Sequence, residues 1–358
     1  MSFWDILATP FAYVMKGCYW LTQNYVLALL LFALVMQIFM CLLFGIRQQK
    51  NMIKQAKLRP YEAIIRKKYA GRTDQATMKK MQDEIMGLYQ REGYSPLGGC
   101  LPMLVQLIII FPLYEVVRRP LEFISGFAQD SCNILASAFG LNFNGTAIQI
   151  STATNIRNHS LADITAKVQA MVGKPYWSET ELFTQDHANA AISEVEYLLE
   201  NNAKFLPDVT MFGTDLGITP FDAFGMFSTV GWLILIPILN LAITYLSQFL
   251  SRKMTYQPAQ EGQQAAGMNS MKIMLYAMPL MSMFFTFSFP AAIGIYWIFR
   301  TILNTLQQFI LSKAMPYPRY TEEDIKNIEK EMKEAARGKN KKRREIDVTN
   351  SADDEGDE

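Results

Sequence analysis

The residues from Ala291 to Leu311 are mainly apolar over a length that crosses a bilayer, yet Arg300 lies near the middle of them. About 20 such residues in a helix span ~30 Å of hydrocarbon. Polar or amphipathic residues at helical spacing from Arg300 share one face of the predicted helix. They are Tyr296, Trp297, Thr301, Asn304, Gln307 and Gln308, and with Arg300 we call them the polar stripe. Because a guanidinium at this depth costs at least ~2.5 kcal/mol against lipid, we expect the polar stripe to face other helices or a water-filled cavity.

Half of the 358 residues are hydrophobic, only 19% are charged, and the apolar residues occur in blocks. This pattern predicts an all-α membrane protein that crosses the bilayer several times. Five transmembrane helices are expected, the first of them interrupted by Gln37, at residues 26–44, 98–118, 229–250, 272–289 and 291–312.

The basic residues are concentrated in three of the connecting segments. The sequence predicts a basic helical hairpin for residues 45–97, a loop for residues 251–271 and a charged tail for residues 313–358. Because Lys and Arg are enriched in cytoplasmic loops, all three are expected in the cytoplasm. Residues 1–25, an amphipathic interfacial helix, and the acidic residues 119–228 then lie on the outer side, with a helix expected from Ala188 to Ala203.

The sequence offers little that indicates bond chemistry. The four cysteines and two histidines lack metal-binding spacing, and neither a nucleotide-binding loop nor a serine nucleophile motif occurs. We therefore expect a protein that is not an enzyme and uses neither a metal nor a cofactor. A sequence repeat, which is common in inverted-repeat transporters, is not visible either.

Several separated motifs resemble those of the YidC/Oxa/Alb membrane insertases. They are the run YSPLGGCLPMLVQ from Tyr94 to Gln106, Lys57 to Pro60, Phe289-Pro290, Gly294 to Trp297, and Gln307-Gln308. The resemblance covers residues 4–118 and 212–313. It implies a five-helix insertase fold with a hydrophilic groove that is open to the cytoplasm and to lipid and closed on the outside. The predicted groove residues are Arg300, Gln37, Tyr296, Trp297, Thr301, Asn304, Gln307 and Gln106, and the resemblance adds Phe285, Trp297 and Ile110 as apolar client contacts.

Two departures from the family pattern stand out. Gln37 occupies, to within one residue, the position where family members usually carry a groove arginine, and we hypothesise that Arg300 supplies this charge instead. Residues 126–207 form an extracellular insertion for which the resemblance implies no role. The large outer domain that many double-membrane bacteria place before the first core helix is absent from this sequence, which favours a single-membrane cell.

The resemblance implies a membrane protein insertase and folding chaperone in the bacterial plasma membrane. It would act on nascent membrane proteins within the lipid bilayer, alone or beside the Sec translocon. The basic run from Lys339 to Arg344 would contact either the ribosome or an anionic membrane surface. Three alternatives remain open: a transporter or channel lined by the polar stripe, a scaffold whose insertion binds partners, and a structural ion pair between Arg300 and Glu115.

Overall fold

The computed structural model describes residues 3–71, 74–94, 111–112, 114–143, 146–147, 149–174, 182–223, 231–255, 277 and 279–334. Helices dominate it. They are α1 (Phe3–Thr22), α2 (Tyr25–Met40), α3 (Ile46–Lys68), α4 (Gln75–Arg91), α5 (Gln129–Ala138), α6 (Gln149–Asn158), α7 (Leu161–Gln169), α8 (Gln185–Asn201), α9 (Pro220–Ala223), α10 (Leu235–Thr255), α11 (Pro279–Ser288), α12 (Ala291–Ala314) and α13 (322–334). Short π-helical or 3-10 turns lie at Cys41–Gly45, Leu121–Ser125, Ala203–Phe205 and Gly231–Ile234.

Two small antiparallel hairpins complete the described elements. Strand β1 (Asn142–Phe143) pairs with β2 (Thr146–Ala147), and β3 (Thr210–Met211) pairs with β4 (Thr214–Asp215). The chain divides into two compact units. The first comprises residues 1–44, 103–254 and 259–310, and the second comprises residues 45–102, 255–258 and 311–358.

The prediction of a helical chain is confirmed for the described residues, apart from the two short hairpins. Two helical stretches of the described chain are long and apolar enough to cross a membrane, Tyr25–Lys68 and Gly231–Thr255, and α11 is a shorter apolar helix. The predicted spans 98–118 and 272–289 lie partly outside the described residues. The count of five spans therefore stays a prediction.

Helix α1 packs one face against α2 and leaves the other exposed. Ala8, Ala12 and Met15 are buried on the packed face, whereas Tyr13 and Trp20 are exposed on the other. Small side chains let the two helix backbones approach closely. The helix predicted as amphipathic and interfacial is thus part of the core of the first unit.

The described parts of residues 126–207, for which the family pattern offered no role, form a folded helical segment. Each of the helices α5 to α8 contributes buried side chains to its core, among them Cys132, Ile150, Ile164 and Val195. The helix predicted from Ala188 to Ala203 is observed as Gln185–Asn201. The core of this segment is continuous with that of α1, α2 and α12, so the segment and the helices share one hydrophobic core.

Backbone hydrogen bonds join the start of α12 to the chain that follows the second hairpin. The amides of Ala291 and Ala292 donate to the carbonyls of Ile218 and Leu216, at 3.1 and 3.0 Å. These bonds satisfy first-turn amides that an isolated helix leaves without partners. The beginning of the helix that bears the polar stripe is therefore fixed by residues 216–218.

Asp215, at the end of β4, is largely buried, and no basic side chain among the described residues offsets its desolvation. Burial raises the pKa of its carboxyl group above the ordinary 3.8, although the Ser151 and Thr154 hydroxyls and the Gly217 amide donate hydrogen bonds to it. A carboxyl group with a raised pKa binds its proton more tightly in the folded state than in the unfolded state. Its contribution to stability is complete below pH 3.8 and is lost as the pH rises through the raised value.

We predict that Asp215→Asn removes this loss. The melting temperature of the wild-type protein should fall relative to that of Asp215→Asn as the pH is raised across this window. Asp163→Asn is the control of opposite sign, because hydrogen bonds from Ser160 lower the pKa of Asp163. Parallel melting curves for wild type and Asp215→Asn at every pH would contradict the prediction.

The second unit contains the hairpin of α3 and α4. Ile65, Met81, Ile85 and Leu88 form its small buried cluster, and the Asp74 side chain caps α4 by accepting a hydrogen bond from the Thr77 amide at 2.9 Å. The tail runs along α3. Tyr317 donates to the Gln49 side chain at 2.8 Å, and Lys67 pairs with Glu329 at 3.3 Å.

Candidate functional site

The polar stripe lies on the inward face of α12. Tyr296 is buried, and Trp297, Arg300, Thr301, Asn304, Gln307 and Gln308 are half-buried. The opposite face carries four apolar side chains that are 47–56% exposed, namely Ile302, Leu306, Phe309 and Ile310. The helix therefore has one apolar face directed away from its neighbours and one polar face directed toward them, as its amphipathic spacing predicts.

Gln37 of α2 contacts the polar stripe directly. Its side-chain amide donates to Gln307 Oε1 at 2.7 Å and lies 3.4 Å from Asn304 Oδ1. Amide hydrogen bonds of this kind hold membrane helices together because lipid offers no alternative partners. The structure thus brings together three of the predicted groove residues.

Helix α10 is also joined to α12 by hydrogen bonds between polar side chains. Ser247 Oγ and Thr305 Oγ1 are 2.6 Å apart, and one turn further on Ser251 donates to Gln308. Nearer the start of α10, Asn240 donates to Thr286 of α11 at 2.9 Å. The spacing argument missed Thr305, because it lies at the edge of the stripe.

Arg300 is half-buried, and within the part of the chain that the structure describes it forms no ion pair. Glu115, the candidate structural partner, is bound elsewhere. One of its oxygens lies 2.9 Å from Arg118 Nη2 and 3.7 Å from Arg119 Nη1. A cation without a carboxylate partner in a helical bundle requires water or a passing ligand to solvate it.

Packing is tight where these helices begin and loosens along them. In α12 every residue from Ala291 to Tyr296 is buried, whereas none from 297 to 314 is. In α2 the last buried residue is Met36, and in α10 residues 241–254 include no buried one. The polar stripe occupies the loosened part. Apart from that of Tyr296, its side chains are therefore only partly covered, whereas the residues at the start of α12 are fully packed.

Two of the predicted apolar contacts lie on a short aromatic row. The Phe285 ring stacks on Phe289 with centroids 6.2 Å apart, and the Phe289 ring meets Trp297 edge-on at 6.0 Å. Phe285 is partly exposed. The row leads from the exposed surface of α11 to the polar stripe. Gln106 and Ile110, also predicted as site residues, lie outside the described residues.

The sequence reasoning did not anticipate a partly buried ionic network around Arg119, where the second predicted span ends. Arg119 donates through Nε to Glu122 Oε2 at 2.8 Å, and Gln149 of α6 accepts a hydrogen bond from the Glu122 amide at 3.1 Å. The alternating acids and bases at helical spacing, Glu115, Arg118, Arg119 and Glu122, were the available signal. This network ties residues 126–207 to the end of the second span.

These features define a helical bundle with two apolar helices long enough to cross a membrane and a half-buried polar face that includes Arg300. The family described as 60Kd inner membrane protein matches residues 17–318. The chain therefore belongs to this family, which is the YidC/Oxa/Alb family indicated by its motifs, and is a protein of the bacterial membrane.

Relatives with the name membrane protein insertase YidC support the assignment. The protein of Syntrophobacter fumaroxidans is 36% identical over 124 residues, which are 34% of this chain and 21% of the relative. YidC 2 of Bacillus anthracis is 39% identical over 100 residues, which are 28% of this chain and 38% of the relative. YidC of Rickettsia massiliae is 24% identical over 308 residues, which are 86% of this chain and 39% of the relative. The chain therefore spans well under half the length of these relatives.

Proposed function

We propose that this protein is a membrane protein insertase and folding chaperone. It takes short polar segments of nascent membrane proteins into the space lined by the polar stripe and releases their apolar helices to lipid, alone or beside the Sec translocon. The observation that carries the proposal is the loss of burial along α2, α10 and α12 at the level of the polar stripe. The family membership and the names of the relatives support it.

The chemistry follows from the cost of moving polar groups through hydrocarbon. Backbone and acidic groups without hydrogen-bond partners cost several kcal/mol each in lipid. A wet groove that reaches part of the way shortens the apolar path. Gln37, Asn304 and Gln307 offer neutral hydrogen-bonding groups along it.

Arg300 supplies the charge of the groove. A carboxylate 4 Å from its guanidinium gains ~4 kcal/mol at an effective dielectric constant near 20. An attraction of this size draws an acidic client segment inward and still permits its release. The aromatic row of Phe285, Phe289 and Trp297 then guides the apolar part of the client to lipid.

The proposed topology has five spans, an outer N-terminus and a cytoplasmic C-terminus. The basic hairpin of α3 and α4 and the basic residues of the tail support this orientation through the excess of Lys and Arg on the cytoplasmic side. Residues 126–207 would then lie outside the cell and the open end of the groove would face the cytoplasm. Ribosomes are proposed partners of the tail.

We predict that Arg300→Ala lowers the insertion of a client with an acidic outer segment about tenfold in proteoliposomes. A tenfold change corresponds to ~1.4 kcal/mol, which is part of the Coulomb attraction that the variant removes. Arg300→Lys should retain most activity, because it keeps the charge. Ile302→Ala, on the exposed face of the same helix, is the control.

Wild-type insertion by Arg300→Ala would remove the proposed role of the arginine. The transporter or channel alternative makes a different prediction for the same variant. It predicts a changed solute or ion flux in liposomes without a client, together with unchanged insertion.

A further inference from the structure

Phe212 lies at the tip of the second hairpin, where both its backbone conformation and its exposure to solvent are unfavourable for a phenylalanine. Met211 pairs with Thr214, so Phe212 and Gly213 are the two turn residues, with φ angles of 51° and 74°. Such turns favour Asn, Asp or Gly, and a left-handed backbone costs other residues ~1–2 kcal/mol. The side chain is also 82% exposed. The turn geometry does not favour an aromatic residue here, and the described residues leave most of the ring uncovered.

The hairpin lies at the level where two membrane helices begin. The chain directly after it binds the first amides of α12. The Trp232 indole, one turn before α10, donates to Thr214 Oγ1 at 2.8 Å. The Phe212 ring meets the Trp232 ring edge-on, with centroids 5.5 Å apart.

An apolar surface continues from this aromatic pair down α10. Leu235 and Leu239 follow Trp232 at helical spacing, and both are half exposed, as is Ile238 beside them. Exposed apolar side chains along a membrane-spanning helix face lipid. Phe212 and Trp232 therefore extend the lipid-facing surface to the end of the bundle.

We propose that the tip of this hairpin is a membrane anchor, with Phe212 inserted at the headgroup–acyl boundary of the leaflet where α10 and α12 begin. Aromatic rings favour that boundary. The indole N–H of Trp232 is already satisfied by Thr214, which leaves its ring and that of Phe212 available for lipid. The anchor attaches residues 126–207, through the connected hairpin, to the bilayer surface.

The test is a depth measurement on the full chain in liposomes of phosphatidylethanolamine and phosphatidylglycerol. Phe212→Cys is labelled with a polarity-sensitive fluorophore, and the wild-type chain labelled in parallel gives the background of its four cysteines. Phe249→Cys on α10, 64% exposed, is the lipid-facing reference, and Tyr197→Cys on α8, 63% exposed, is the reference in residues 126–207.

We expect blue-shifted emission at position 212 that a nitroxide-bearing lipid quenches strongly and aqueous iodide quenches weakly, as at position 249. Iodide quenching equal to that at position 197 would overturn the proposal. Shielding from both quenchers would show a protein cover, and this result would overturn it as well.

Phe212→Trp provides a second measurement if the cysteine variant does not fold. The tryptophan emission gained over wild type should be lost in bilayers of brominated lipid. If that added emission persists in brominated lipid, the tip lies in water and the anchor does not exist.

Discussion

Replacing Gly294 by valine should disrupt the packing of α10, α11 and α12. A Cβ at this position would lie 2.7 Å from Ile236 Cγ2 and 2.8 Å from Thr286 Cγ2, distances that real contacts do not reach. Overpacking of a tight core costs ~1–3 kcal/mol, and we expect Gly294→Ala to fall in this range and Gly294→Val to exceed it. Displacement of Thr286 would also break its hydrogen bond with Asn240.

The free energy of unfolding in mild detergent measures this effect. Gly17→Ala is the matched control, because a Cβ on Gly17 of α1 meets nothing within 4 Å. That variant should be neutral or gain up to ~1 kcal/mol, since alanine favours a helix over glycine. Gly294→Ala combined with Ile236→Ala should cost less than the two single changes together. Strict additivity would show that the close contact does not govern the packing.

Replacing Arg119 by leucine should destabilise the protein by ~3–5 kcal/mol, because it leaves the Glu122 carboxylate largely buried without its cation. The Arg119 side chain is only 9% exposed, contacts Glu115 and Glu122, and covers the Phe123 ring at 5.3 Å. The loss should appear as a lowered free energy of unfolding and as faster hydrogen exchange in α6, which contacts Glu122 through Gln149.

A double variant shows whether the loss of stability comes from the unpaired buried charge of Glu122 or from the loss of the Arg119 contacts. Arg119→Leu with Glu122→Leu removes both charges and should recover much of the stability, since buried ion pairs are often replaceable by apolar residues. Lys67→Ala is the exposed counterpart: its ion pair with Glu329 involves a lysine side chain that is 73% exposed, so at most ~1 kcal/mol is expected. Equal losses for Arg119→Leu and Lys67→Ala would contradict this account.

The polar stripe was predictable from sequence because helical periodicity and the cost of a charge in lipid act on one helix alone. The spacing of Asn304 and Gln307 from Arg300 fixed their common face. The partner of that face, Gln37, lies 270 residues away from Gln307 and came from the family resemblance, since periodicity does not identify which helices meet.

The fold of residues 126–207 was less predictable. Only α8 has an apolar face long enough to stand out, whereas α6 buries polar residues such as Gln149, Ser151 and Thr152. Gln149 bonds Glu122, and Ser151 bonds Asp215, in distant parts of the chain. A sequence read element by element contains no signal for bonds of this kind.

The loosening of the bundle along α12 is likewise a property of several helices together. The composition of α12 alone does not reveal that Ala291 to Tyr296 are buried and the following residues are not. The groove proposal depends on this difference, because a stripe packed tightly along its whole length would only join helices.

Site-specific photocrosslinking of ribosome-bound nascent membrane proteins tests the central claim most directly. A photoreactive phenylalanine replaces Trp297 on the polar stripe or Leu306 on the opposite, exposed face of α12. We predict that position 297 crosslinks to the client and that position 306 crosslinks to lipid or not at all. Crosslinks from position 306 without any from position 297 would show that clients do not enter the space beside Arg300, and the groove would then have no part in the function.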